Sequence, residues 1–135
     1  MLAFSEQNKI YVVDAVNGTL ISSRDLAAEG EGPFMASDLG GCNDITGSIG
    51  ITGTPVIDPA TDTVYFWAKG YKPGQTGVMN GVYRFHAVDA LTLAERPGFP
   101  TDMEGKQGQS IAIPYKSLEG MCNICLLYTS PSPRD

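Results

Sequence analysis

The stretch that decides the fold is Gly50–Ala90, GITGTPVIDPATDTVYFWAKGYKPGQTGVMNGVYRFHAVDA. It contains three apolar runs rich in β-branched and aromatic residues, which favour β-strands. We predict strands over Gly53–Asp58, Thr63–Ala68 and Val82–Asp89. The turn at Asp58–Asp62 and the β-rich runs on either side of it predict a single antiparallel meander in which each strand pairs with the next.

The turn between the first two strands has a recognisable chemistry. The Asp58 carboxylate can accept hydrogen bonds from the backbone N–H groups just ahead of it. Pro59 presets φ, and Asp62 tolerates the left-handed conformation. Because the apolar residues of Thr63–Ala68 do not alternate with polar ones, we expect this strand to be covered on both faces. Leu93–Arg96 is expected to begin a fourth strand.

Upstream of this stretch, the sequence predicts a second pair of strands. Lys9–Asp14 and Thr19–Leu26 are joined by the turn Ala15–Gly18, in which Asn-Gly suits positive φ. Ala27–Gly50 is rich in Gly, Asp and Glu and is predicted to be loop. Lys69–Gly81 is predicted to be a second, Gly-rich loop.

The two parts of the chain contain an internal sequence repeat. YVVDAVNG at Tyr11–Gly18 resembles FHAVDALT at Phe85–Thr92, with Asp14 matching Asp89. Ala15 then matches Ala90. Repetition of one supersecondary unit is typical of radial architectures such as the β-propeller.

The repeated segments resemble the quinoprotein-alcohol-dehydrogenase-like β-propeller superfamily, whose repeat is Ala-x-Asp-x-x-Thr-Gly-x-x-x-Trp. The matching positions are Asp14 and Gly18 in the first copy and Ala87, Asp89 and Thr92 in the second. The departures are Val12 for Ala, Asn17 for Thr, Ser22 for Trp, Leu93 for Gly and Pro97 for Trp. VDALTLAERPGFP and CNDITGSIGITGTPVIDP are further similar to uncharacterised secreted propeller proteins, many of them fungal. The resemblance covers Lys9 to about Glu104.

This resemblance implies an all-β propeller fragment. We expect about one complete four-stranded antiparallel blade over residues 1–104, together with the last two strands of the preceding blade. Residues 105–124 continue no recognisable blade, and an intron-derived or mistranslated segment would explain them. Cys125–Asp135, CLLYTSPSPRD, resembles a translated sequencing adaptor and is expected to carry no regular structure. The native N-terminus is then expected to be missing as well.

Composition limits the class of function. The chain has 135 residues and a formal net charge of −6, and it lacks a basic cluster, which argues against nucleic-acid binding. The chain shows no transmembrane run and no signal peptide, and both absences say little about localisation because neither end need be native. We expect no membrane partner. Of its three cysteines, Cys42 is the one outside the doubtful C-terminal region, so no disulfide framework is predicted. Cys42 is then either a packed free thiol or paired with a missing part of the parent protein.

The candidate ligand site lies on the two long loops. In a four-stranded meander the first and third connections lie at one end of the sheet. The second connection, Lys69–Gly81, and the connection from the preceding blade, Ala27–Gly50, lie at the opposite end, so both long loops should meet there. The candidate residues there are Asp38, Asn43, Asp44, Tyr71, Lys72 and Asn80. A polar small molecule or glycan is the expected ligand. The alternative is that these residues cap turns and shield the loop.

Other residues support less specific expectations. His86, the single histidine, is expected to be a hydrogen-bonded core residue rather than a catalytic one. Trp67 is expected to pack between blades rather than to carry a flat cofactor. Asp58 with Asp62 could mimic a calcium loop, although the full ligand spacing is absent. Asn17 begins the sequon Asn-Gly-Thr and is a glycosylation candidate if the parent is secreted.

Three functions remain open from the sequence. The first is a non-catalytic fragment of an extracellular binding or structural protein, whose partners are the neighbouring blades and which needs no cofactor or metal. The second is a fragment of a pyrroloquinoline-quinone dehydrogenase with calcium, although the chain has no adjacent cysteine pair and no match to a family aspartate. The third is a partial reading frame without independent function, because such units bury their faces only against neighbours.

Overall fold

The computed structural model describes residues 1–39 and 45–102, and these residues form three antiparallel β-sheets. The strands, in chain order, are β1 (Leu2–Phe4), β2 (Lys9–Val13), β3 (Leu20–Asp25), β4 (Phe34–Met35), β5 (Ser48–Ile49), β6 (Val56–Asp58), β7 (Thr63–Tyr71), β8 (Gly81–Asp89) and β9 (Thr101–Asp102). Short 3-10 helices lie at Ala36–Leu39 and Val78–Asn80. None of the helices in the described ranges has the length and apolar character needed to cross a membrane.

The four-stranded sheet consists of β6, β7, β8 and β9, in that order. The predicted pairing of the first three strands is confirmed. The pairing of β7 with β8 continues to Tyr71↔Gly81, so the predicted loop Lys69–Gly81 shortens to residues 72–80. The extension is possible because Gly70 lies against the Gly32 carbonyl, where a Cβ would come within 2.6 Å of the oxygen.

The prediction that Leu93–Arg96 begins the fourth strand is confirmed in part. The segment lies antiparallel to the end of β8, with a bridge Val88↔Glu95 and backbone hydrogen bonds from Asp89 N–H to Ala94 and from Arg96 N–H to Ala87. The continuous fourth strand is β9, which pairs with Arg84 and Phe85. The chain turns away from β8 between these two contacts. Pro97 lacks an N–H for pairing, and Gly98 has a φ of 88°.

The N-terminal sheet consists of β1, β2 and β3, so it has three strands where two were predicted. The missed strand, Leu2–Phe4, is too short to show a period in the sequence. The predicted loop Ala27–Gly50 also contains structure, because β4 and β5 pair as a small third sheet. Residues 40–44 of that loop, and residues 103–135, lie outside the described residues.

The N-terminal sheet and the four-stranded sheet pack face to face. Ile10 and Val12 of β2 lie in the same buried cluster as Val64 and Phe66 of β7, and the rings of Phe4 and Phe66 are 5.3 Å apart. The rest of this cluster is Leu26, Ile51, Ala68, Val88 and Leu93. The opposite face of β7 is less covered, since Tyr65 and Trp67 are half-buried. The expectation of full cover on both faces therefore holds for one face only.

Three turns at the ends of strands share one geometry. In each, an aspartate side chain accepts a hydrogen bond from the backbone N–H two residues ahead, at 2.8 to 3.0 Å. The residue four positions after each aspartate has positive φ. The aspartates are Asp14, Asp58 and Asp89, and the positive-φ residues are Gly18 (75°), Asp62 (49°) and Leu93 (60°). The predicted chemistry of the Asp58 turn is confirmed, and the Asp14 and Asp89 turns are its counterparts.

The segments that repeat in sequence, around Asp14 and Asp89, therefore also form the same turn in the structure. The Asp14 carbonyl accepts a hydrogen bond from Gly18 N–H at 2.9 Å, and the Asp89 carbonyl accepts one from Leu93 N–H at 3.0 Å. Leu93 adopts the left-handed conformation that the repeat pattern assigns to glycine. Its buried side chain packs in the core, which offsets the backbone strain.

Candidate functional site

Two of the predicted site residues meet where the long loops converge. The Tyr71 hydroxyl, at the end of β7, donates to Asp38 Oδ2 at 2.5 Å. The same hydroxyl accepts a hydrogen bond from Met35 N–H at 2.8 Å. Gly77 N–H donates to Asp38 Oδ2 at 2.9 Å. These bonds connect the loop before β5 to the loop between β7 and β8, as the parity of the meander predicts.

Burial and the neighbouring carboxylate both change the acidity of Tyr71. Desolvation raises the pKa of its hydroxyl to about 12, and the hydrogen bond to Asp38 raises it in the same direction. The ring also stacks on Phe34, with centroids 4.8 Å apart. Tyr71 is therefore a neutral, buried donor that fixes Asp38 in place.

Of the other predicted site residues, Lys72 and Asn80 lie at the two ends of the loop of residues 72–80, and Asn43 and Asp44 are not described. Lys72 N–H donates to the Asn80 carbonyl at 2.8 Å, which closes the loop of residues 72–80. The Asn80 side chain donates to the Thr76 carbonyl at 2.8 Å. Asn43 and Asp44 lie outside the described residues, as does Cys42. The side chains of Lys72 and Asn80 are half-buried at the loop surface.

Lys69 is a buried charged residue that the sequence pattern does not predict. The sequence places it at the start of a loop, but it lies within β7 and its side chain is fully buried. Its ammonium is 4.0 Å from the centroid of the Phe34 ring and 5.3 Å from that of Tyr83. Both distances are within the range of cation–π contacts. The sequence does not indicate that this lysine is buried, because a lysine that follows an apolar, aromatic run is typical of the end of a strand.

His86 is a hydrogen-bonded core residue, as expected, but its partners were not predicted. Its side chain is fully buried, with Nε2 3.2 Å from Glu31 Oε2 and Nδ1 3.2 Å from Glu95 Oε2. Arginines neutralise the carboxylates from the outer side. Arg84 Nη1 lies 3.5 Å from Glu31 Oε2, and Arg24 Nη1 lies 2.6 Å from Glu95 Oε2. We call these five residues the His86 cluster.

The His86 cluster favours its charged form. Burial alone would lower the pKa of His86, but the hydrogen bonds to Glu31 and Glu95 raise it above the usual value. Burial alone would raise the pKa values of Glu31 and Glu95. Their hydrogen bonds to His86, with the charges of the arginines, lower them instead. When His86 is protonated, its imidazolium donates to a carboxylate at each ring nitrogen.

The chemistry available to these groups is that of structural ion pairs. His86 has no exposed surface, so it cannot exchange a proton with a bound ligand without movement of its neighbours. The cluster joins β3, β8 and the segments that carry Glu31 and Glu95. Breaking one partner of a buried ion pair leaves an uncompensated charge, which is strongly destabilising.

Asp58, considered with Asp62 as a possible calcium loop, makes local hydrogen bonds within its turn. The Asp58 carboxylate accepts from Ala60 N–H at 3.0 Å and from the Thr61 hydroxyl at 2.7 Å. These bonds hold the turn and lower the pKa of Asp58. Across residues 1–39 and 45–102, no group of three or more His, Cys, Asp or Glu side chains is arranged to hold a metal ion.

Asn17 is exposed in the turn after Asp14. Its side-chain oxygen accepts a hydrogen bond from Thr19 N–H at 2.9 Å. Gly18, between them, has a φ of 75°. The sequon is thus a solvent-facing turn whose residues are also explained by turn geometry.

Comparison of the chain with protein-family models, with curated proteins and with solved structures gives no match. What supports a function therefore comes from the repeated turn, the packing of the two sheets and the convergence of the two loops.

Proposed function

We propose that the chain is part of a β-propeller and serves as a non-catalytic binding or structural module of an extracellular protein. The observation that carries this proposal is the repeated aspartate turn, present in two sheets that pack face to face. Repetition of one antiparallel unit, stacked on its neighbour, is how propellers bury their apolar faces.

The non-catalytic part of the proposal is supported by how the titratable groups are used. The single histidine of the chain is buried and is in contact with two carboxylates. Glu31 and Glu95 contact His86 and arginines, and Asp38 is bonded to Tyr71 and Gly77. These contacts hold loops and strands in place, which is what a rigid scaffold for binding loops requires.

The binding surface of this proposal is the end of the four-stranded sheet where Tyr71 lies. The Asp38–Tyr71 and Asp38–Gly77 hydrogen bonds hold Asp38 against the end of β7 and the loop of residues 72–80, so a ligand would not have to order these contacts. Lys72 and Asn80 offer an ammonium and an amide at the loop surface. Because the whole chain carries a net charge of −6, we propose a neutral polar ligand, such as a glycan, rather than a nucleic acid.

A glycan array followed by titration calorimetry of the hits tests this proposal. Lys72→Ala and Asn80→Ala should each weaken binding by about 10-fold, since each removes one hydrogen-bonding side chain. Thr61→Ala is the matched control, because Thr61 is exposed at the opposite end of β7. Binding that responds to Thr61→Ala and ignores both loop variants would overturn the assignment, as would the absence of any glycan ligand.

A further inference from the structure

One face of the four-stranded sheet carries aromatic side chains that nothing in the described residues covers completely. Phe85 lies 4.6 Å from Trp67, 5.9 Å from Tyr65 and 5.9 Å from Phe99, measured between ring centroids. These four residues are half-buried. Val56, which pairs with Tyr65 on the same face, is 63% exposed. We call these five residues the aromatic face.

The repeat shows what the equivalent face does in the other sheet. With Asp14 aligned on Asp89, the pairs Leu2↔Val12 and Phe4↔Ile10 of the N-terminal sheet correspond to Tyr65↔Ala87 and Trp67↔Phe85. The first set is the face that packs on the four-stranded sheet, where Ile10 is fully buried and Val12 is 5% exposed. Three of the four corresponding positions, Tyr65, Trp67 and Phe85, belong to the aromatic face, whereas the fourth, Ala87, is buried.

The same alignment identifies a matching surface at the other side of the molecule. The pair Ala3↔Tyr11 corresponds to Phe66↔His86, and Val13 corresponds to Val88. Phe66, His86 and Val88 are the buried face of the four-stranded sheet. Their counterparts point outward: Tyr11 and Val13 are half-buried, and nearby Ile21 is 53% exposed. We call Ala3, Tyr11, Val13 and Ile21 the outer face.

We propose that the aromatic face of one molecule binds the outer face of a second copy of this chain. The contact would repeat, between molecules, the interface that already joins the two sheets within one molecule. It is head to tail, so each copy keeps one face free, and association continues until a ring closes or a filament grows. The inference depends on the repeat architecture of the proposed function and not on any ligand.

Sedimentation velocity over a range of concentrations tests the proposal with one variant for each face. Trp67→Glu places a charge on the aromatic face, and Tyr11→Glu places one on the outer face. Val16→Glu is the matched control, because Val16 is 96% exposed in a turn on neither face. The wild-type chain and Val16→Glu should associate with rising concentration, and each face variant should stay monomeric.

Mixing the two face variants distinguishes head-to-tail binding from a symmetric contact. Each variant retains the face that the other lacks, so an equimolar mixture should give a 1:1 complex that grows no further. Association of Tyr11→Glu alone would indicate contact between two aromatic faces and would overturn the proposal, as would a wild-type monomer at every concentration. Circular dichroism checks the fold, and Val56→Glu and Ile21→Glu replace any variant that unfolds, since both side chains are exposed.

The outcomes separate this inference from the proposed function. Glycan binding is read out with the loop variants Lys72→Ala and Asn80→Ala. A wild-type chain that binds a glycan but stays monomeric would remove the head-to-tail contact alone. Self-association without a glycan ligand would remove the binding function and leave the contact standing.

Discussion

The N-terminal sheet and the four-stranded sheet have the same turn and different surroundings. Asp14 and Asp89 accept equivalent hydrogen bonds, and the residues four positions later share a positive φ. Yet Ile10 is fully buried and its counterpart Phe85 is only half-buried. The turn is therefore set by local chemistry, whereas burial is set by what packs on the sheet.

A second difference lies on the opposite face of the same strands. His86 of β8 is buried in an ion cluster, while its counterpart on β2, Tyr11, is half-exposed. The position thus carries a charged core residue where the face is covered and an amphipathic residue where it is open. Each sheet is thus covered on one face and open on the other, and the covered face of each is the one that packs on the other sheet.

The largest effect should come from truncating equivalent positions. Ile10→Ala should lower the free energy of unfolding by about 2–4 kcal/mol, because it removes a fully buried side chain between the sheets. Phe85→Ala should cost less, about 1–2 kcal/mol, although it removes more atoms. Urea denaturation measures both. A larger loss for Phe85→Ala would show that the aromatic face is already covered in solution.

The next largest effect is the pH dependence of stability that the His86 cluster gives to the contact between the two sheets. Because the pKa of His86 is raised above 6.5, its stabilisation is complete below about pH 6.5 and is lost as pH rises through the raised value. The lowered pKa values of Glu31 and Glu95 place the acid loss below about pH 4.5.

Urea midpoints measured from about pH 5 to about pH 9 check the alkaline part of this profile. The wild-type midpoint should fall across that range. His86→Gln keeps a polar side chain but cannot titrate, so its profile should be flatter. An equal slope in the variant would mean that another group causes the loss.

The features that could be predicted from the sequence are those set by residues adjacent in the chain. The Asp58 turn follows from the side chain of Asp58 and the tolerance of Asp62 for positive φ, and both were found. The partners of His86 could not be predicted, because Glu31 lies 55 residues away in sequence and reaches it only through packing. β1, with three residues, is likewise visible only through its pairing with β2.

In the candidate site, too, one feature could be predicted from the sequence and others could not. Meander parity predicted that the two long loops meet, and the Asp38–Tyr71 bond is their contact. The direction of each side chain within those loops has no periodic signal. The sequence therefore could not tell that Tyr71 is buried or that Lys69 lies among aromatic rings.

A smaller effect is expected from the turn itself. Gly18→Ala should cost about 1 kcal/mol, because Gly18 has a φ of 75° and no atom within 4 Å of an added Cβ. Gly32→Ala is the matched control, since Gly32 has equal room and no positive φ, and should change stability by less than about 0.5 kcal/mol. Equal losses in thermal melts would indicate that the backbone conformation of the turn is not the cause.

The smallest effect should follow removal of Cys125–Asp135, whose sequence resembles a translated adaptor. The truncated chain should melt at the same temperature as the full chain within error. A fall of several degrees would show that these residues contribute to the fold of the two sheets.

The central claim is that the two repeat units pack face to face within one chain. Nuclear Overhauser effects between the ring protons of Phe4 and Phe66 test it most directly, since these rings have centroids 5.3 Å apart and belong to different sheets. We expect clear cross-peaks in the Trp67→Glu variant, in which contacts between molecules should be blocked. Their absence in a folded sample of that variant would contradict the packing of the two units.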